Sequence, residues 1–166
     1  MAKTPKNKLK TPTGLPTNAV ASVADALNGI LADSFALYFK TKNFHWHVNG
    51  PHFRDYHLLF DDQAAQIFAT TDLIAERVRK TGNTTLRSIG DVSRHQTLKD
   101  NNAQIVAPVA MLAELRDDNL KLIEALRSAK DLADKTKDNA TSAVIDGWTD
   151  EAEQRVWFLF EAAQTA

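Results

Sequence analysis

Apolar side chains recur every three or four residues through most of this chain, and no stretch sustains an apolar–polar alternation, so the pattern predicts helices and no strands. Val20, Val23, Leu27, Ile30, Leu37 and Tyr38, interrupted only by the small Ser34, predict a first helix over roughly 17–42. His45-Trp46-His47-Val48-Asn49-Gly50-Pro51 reads as the turn after it, with Gly50 supplying backbone freedom and Pro51 suited to a first helical turn. Phe53, Tyr56, Phe60, Ala64, Ile67, Thr71, Ile74 and Val78 form the seam of a second helix, roughly 51–80. Residues 81–106 are polar, contain two Gly and are too long for a simple bundle turn, which implies a short helix or a functional surface there. Pro108 opens a third long helix with Leu112, Leu115, Leu122, Ile123 and Leu126 inward. A fourth runs from about 140 to 163 through Val144, Trp148, Ala152, Val156 and Leu159. The expected fold is all-α, a four-helix bundle with an extra short helix in the middle connection.

One face of the second helix carries chemistry beside its core seam. His57 with Glu76, and Asp61 with Asp72, are both centred on position 66.5. At about 100° per residue the four fall at about 0°, 40°, 60° and 100°, on one face. These are metal-ligand side chains, yet Asp61 and Asp72 lie about 16 Å apart along the axis, too far to hold one ion with bonds of about 2.0–2.6 Å. A second copy packed antiparallel about a two-fold axis through 66.5 sets His57 and Asp61 of one chain against Asp72 and Glu76 of the other. Ala65 and Phe68, again symmetric about that point, are placed to pack across the axis.

Composition narrows the chemistry. The 166 residues suit one domain, and with no Cys the chain has no disulfide, thiolate nucleophile or thiolate-bound metal, leaving His, Asp and Glu as ligands. The first residues lack an apolar leader, and no run of about 18 apolar residues occurs, so the expected location is cytoplasmic, with no membrane partner. Residues 1–14 carry four Lys and no acid, and the rest carries a net −5. Residues 1–16 are therefore read as a flexible basic tail and 17–166 as the bundle domain. Lys3, Lys6, Lys8 and Lys10 are the candidate contacts to DNA phosphates, since many copies of such a tail would bridge many charges in a salt-dependent way.

His45-Trp46-x-Val48-x-Gly50, His57-x-x-x-Asp61 and Asp72-x-x-Ala75-Glu76-Arg77 resemble the two signatures of the Dps mini-ferritins, DNA-binding proteins from starved cells, over roughly residues 17–163. Tyr56 and Thr71 depart from the aliphatic residues usual at those positions. The resemblance implies a ferritin-like subunit, a homo-dodecameric shell and ferroxidase sites at the two-fold interfaces. His45, His57 and Asp61 would come from one subunit and Asp72 and Glu76 from its neighbour. It also implies iron as the metal, with no organic cofactor, hydrogen peroxide as the preferred oxidant, and Trp46 as an electron donor beside His45. Iron-uptake pores on three-fold axes, near the start of the last helix, would take Asp138, Asp146 or Asp150 as candidates, with Ala143 where the family commonly has an aspartate.

No Glu-x-x-His motif occurs, which argues against a di-iron centre inside a single bundle. His47, His52 and His95 have no such support and read as surface residues, and Trp148, Trp157, Phe158 and Phe160 as packing. The alternatives are a nucleoid-compacting, DNA-binding structural protein with vestigial iron chemistry, and a plain bundle whose polar face is a dimer contact.

Overall fold

The computed structural model describes residues 9–164, and among them every regular element is helical. The elements are α1 (Thr17–His47), α2 (Phe53–Lys80), α3 (Ile89–His95), α4 (Pro108–Lys135) and α5 (Asn139–Ala162). α1 lies along α2 and α4 along α5, each pair joined by a short turn, and α1 also packs on α4. The long connection that carries α3 crosses α1. This is a four-helix bundle with one short extra helix.

The core follows the apolar seams. Val23, Leu27 and Leu37 of α1, Phe60, Ile67 and Val78 of α2, Leu112 and Leu115 of α4, and Ile145 and Leu159 of α5 are fully or almost fully buried. α1 is long and apolar enough to cross a membrane, but more than half of its most apolar stretch is buried inside the bundle, as a core helix requires. Three details differ from the sequence reading. α1 continues five residues past 42, because the seam continues through Phe44, which is buried, to Val48, whose N–H bonds the Phe44 carbonyl at 2.8 Å. The turn then falls at Gly50, with φ +98, where an L side chain would be strained, and Pro51 stands in that turn, ahead of α2. Phe53 and Val144 are exposed; Ile145 takes the inward place in α5.

The middle connection is held by specific bonds. Ser88 caps α3 by accepting the Asp91 N–H at 3.1 Å, and Asp91 accepts the Arg87 N–H at 2.8 Å, a return bond close to a capping box. Buried Asp33 of α1 accepts from Thr97 N–H, Thr97 Oγ1 and Leu98 N–H at 2.6–2.9 Å. Residues 9–16, read from sequence as part of a flexible tail, have partners on α2. Arg79 donates to the Leu9 carbonyl at 2.9 Å, and Thr11 Oγ1 donates to the Arg79 carbonyl at 3.3 Å. A Cβ on Gly82 would approach the Thr11 carbonyl to 2.6 Å, so glycine is what lets this segment lie there.

Candidate metal centre

The antiparallel turn between α1 and α2 brings the end of one helix against the start of the next. Because α1 runs to His47, His45 sits in its last turn and faces inward, and His57 meets it from the second turn of α2. The two imidazole rings stack with centroids 3.8 Å apart and planes 21° apart. Their hydrogen bonds are reciprocal. His45 Nδ1 lies 2.8 Å from the His57 carbonyl, and His57 Nδ1 lies 2.8 Å from the His45 carbonyl. A carbonyl only accepts, so both Nδ1 atoms carry a proton, and the neutral tautomer this selects is the one whose Nε2 lone pair ligates a metal. Phe53 covers the outer side, its ring centroid 5.1 Å from that of His57.

Asp61 lies one turn further along α2, half-exposed, with Oδ1 3.9 Å from His45 Nε2. Lys42 Nζ donates to the same oxygen at 2.7 Å. That hydrogen bond, reinforced by the lysine charge and only partly opposed by desolvation, holds the Asp61 carboxyl below its ordinary range. Lys42 also sits 5.9 Å from the centroid of the Trp46 ring, which is 56% exposed and edge-on to Phe39. Lys42 is the residue that sequence reasoning missed. Positions 42, 45 and 46 share a helical face, so a helix read through 47 would have brought it to the site.

Asp72 and Glu76 are exposed toward the other end of α2, and Glu76 pairs with Lys80 at 3.2 Å. Among the described residues no three metal-ligating side chains converge closely enough to hold an ion. The structure thus gathers His45, His57 and Asp61 at one end of the helix and leaves Asp72 and Glu76 at the other. Between them the surface is apolar and open, with Ala65 exposed and Phe68 53% exposed against Tyr38, their ring centroids 5.0 Å apart.

The remaining candidates divide. Asp138 is 2% exposed and caps α5, accepting from Thr141 N–H at 3.1 Å and Thr141 Oγ1 at 2.6 Å, with Arg77 paired to it at 3.1 Å. Both of its oxygens are thus engaged in bonds within the subunit. Asp146 and Asp150 are exposed, the former 3.1 Å from Lys130. Lys10 is exposed, and Lys3, Lys6 and Lys8 lie outside the described residues. His47, His52 and His95 are on the surface. Trp148 is buried, whereas Trp157, Phe158 and Phe160 leave an apolar patch on α5.

Comparison with known proteins gives consistent matches across the chain. A ferritin-like domain matches residues 24–165. An uncharacterised low-temperature-induced protein of Nostoc sp. (strain PCC 7120) is 35% identical over 88% of this chain and 82% of its own length. The DNA protection during starvation protein of Brevibacillus brevis is 30% identical over 87% of this chain and 97% of its own. Among solved structures, the Dps protein from Vibrio cholerae O1, described as a member of a broad superfamily of ferritin-like diiron-carboxylate proteins, superposes with a TM-score of 0.86 at 26% identity, covering 93% of this chain and 98% of that one.

Proposed function

From the premise that this chain belongs to the Dps family of ferritin-like proteins, we propose that it is a cytoplasmic ferroxidase and iron store, working as a homo-dodecameric shell that protects DNA by consuming Fe(II) and hydrogen peroxide together. The observation that carries this reading is the His45–His57 pair, both Nδ1 atoms held by reciprocal bonds, beside Asp61 and far along one helix from Asp72 and Glu76. A two-fold partner supplies the missing carboxylates. His45 and His57 bind iron through Nε2, Asp61 and Glu76 bind as carboxylates with Glu76 able to bridge, and Asp72 is a weaker ligand or orients the others. Two Fe(II) give one electron each to a peroxide molecule. Its O–O bond breaks and two protons are taken up to form water, so no one-electron fragment is released. Trp46 supplies an electron to any stray oxidising equivalent, and the ferric product hydrolyses in the acidic interior. A crystal soaked anaerobically in Fe(II) should show anomalous scattering between His45, His57 and Asp61 of one subunit and Glu76 of another. Iron bound only within one chain would refute the assignment.

Lys42 sets how readily this site fills. Its ammonium occupies Asp61 and repels a second cation, so Lys42→Met should bind Co(II) more tightly, by about three- to tenfold, in an anaerobic titration. Unchanged affinity would mean that the lysine moves away at no cost.

A second reading, DNA compaction, is favoured by the four lysines in the first ten residues. Twelve such tails would bind plasmid at low salt and release it as salt rises. Removing residues 1–14 should abolish the gel shift while leaving Fe(II) oxidation intact, and retained binding would place the DNA contact elsewhere.

A further inference from the structure

The dipeptide Asn-Gly occurs twice in this chain, at Asn28-Gly29 and at Asn49-Gly50. It is the asparagine context most prone to rearrange. Glycine has no Cβ to hinder its own backbone nitrogen, so that nitrogen can close on the asparagine side-chain carbon as a five-membered imide. Two conditions decide whether it does. The glycine N–H must be free of a regular hydrogen-bonded ladder, and the asparagine amide must be free to turn toward it.

The two copies sit in opposite surroundings. Asn28-Gly29 lies well inside α1, where the helical ladder engages the Gly29 N–H. Asn28 is pinned as well: its Nδ2 donates to the Thr84 carbonyl at 3.1 Å and its Oδ1 accepts from Thr85 Oγ1 at 2.9 Å. Asn49-Gly50 lies past the end of α1, in the turn before α2, and both residues are exposed. Gly50 has φ +98, and beyond its chain neighbours no atom stands within 4 Å of where its Cβ would be, so water has access. Among the described residues neither the Asn49 side chain nor the Gly50 N–H has a hydrogen-bond partner. Asn49 also stands four positions after His45 and eight before His57, inside the hairpin that their reciprocal bonds close.

We propose that Asn49 is a self-modifying site, which deamidates spontaneously to aspartate and isoaspartate, and that the isoaspartate form loosens the hairpin holding His45 against His57. The Gly50 nitrogen bonds to Asn49 Cγ, the Cγ–Nδ2 bond breaks, and the amide nitrogen leaves as ammonia with the proton from Gly50. Water then opens the imide at either carbonyl. Cleavage of the Cγ–N bond gives aspartate on the ordinary backbone. Cleavage of the backbone C–N bond gives isoaspartate, whose chain runs through Cβ and Cγ and is one carbon longer. The turn is short, so the added carbon shifts the start of α2 against the end of α1 and lengthens bonds that stand at 2.8 Å. No metal or oxidant takes part, so the site stands apart from the ferroxidase reading.

The test incubates the iron-free, full-length protein at mildly alkaline pH, where base assists attack by the amide nitrogen, and follows the peptides that hold Asn28 and Asn49 by mass spectrometry. The amide-to-acid mass gain should appear at Asn49 at least about a hundredfold faster than at Asn28, because Asn28 must wait for a core helix to open. Enzymatic methylation should mark part of the product as isoaspartate. Asn49→Gln, whose closure needs a six-membered ring, should show no conversion at that position over the same period. Hydrogen exchange on the aged protein, quenched and digested, resolves the unmodified, aspartate and isoaspartate forms of the hairpin peptide from one sample. The isoaspartate form should have exchanged about tenfold faster than the other two. A retained amide at Asn49, equal conversion at both asparagines, or isoaspartate peptide that exchanges no faster than its unmodified counterpart would each overturn the proposal.

Discussion

Replacing His57 and Asp61 together with Ala should lower the rate of Fe(II) oxidation by peroxide at least about a hundredfold, because in the proposed site an imidazole and a carboxylate would leave the same ion. Neither side chain belongs to the apolar core, so the variant should still assemble. A second variant, Asp72→Ala with Glu76→Ala, should be just as inactive. Mixing the two after dissociation and reassembly separates a shared site from one built within a chain. In a mixed pair about the two-fold axis, one site loses all four residues and the other regains all four. Random pairing should therefore restore about one quarter of the wild-type sites, read as the amplitude of the ferric absorbance. If mixing restores nothing, the ligands do not come from two chains.

Lys40→Met should destabilise the protein by about 3 kcal/mol, measured by urea unfolding at fixed protein concentration. Lys40 is buried between Asp118 at 2.6 Å and Glu114 at 2.8 Å, and Asp118 is itself almost fully buried. Removing the ammonium leaves Asp118 inside the bundle with only the exposed Lys121 at 3.2 Å. Lys40→Met combined with Asp118→Leu should recover most of the loss, since no buried charge is then stranded. Burial alone would lower the lysine pKa, but the bonds to Asp118 and Glu114 outweigh it and hold the value above the ordinary 10.5. The stabilising contribution is therefore complete below pH 10.5 and is lost only as pH rises through the still higher folded value. The wild-type advantage should stay constant through the neutral range and shrink only in strong alkali.

These two experiments rest on features that differ in how far they could be read from residues alone. The face of α2 was legible because helical spacing is a strict rule: four ligand-type residues symmetric about one point must lie on one side of a helix. The seams of α1, α2 and α4 were legible for the same reason. The end of α1 was not, because His-Trp-His-Val-Asn-Gly-Pro contains the residues of a loop while burial of Phe44 and His45 keeps its first part helical. That misplaced boundary also hid Lys42. Buried charges were invisible too: Lys40, Asp118 and Arg155 look like solvated positions in a polarity pattern, and only the side chains opposite them reveal otherwise. The short helix α3 was expected from the length of its connection, and its start is written in Ser88 and Asp91, a capping pair that can be found without a structure.

The reciprocal bonds between His45 and His57 have a consequence for the life of a single subunit. They join residues only twelve positions apart across the first hairpin, so they need no partner and form while α1 and α2 dock. A newly made chain thus finishes its imidazole pair early, and under the proposed two-fold site it lacks Asp72 and Glu76 opposite that pair until it meets another copy. On the proposed chemistry this is an interlock: oxidation stays switched off while subunits drift free, and switches on where a closed container stands ready to receive the rust.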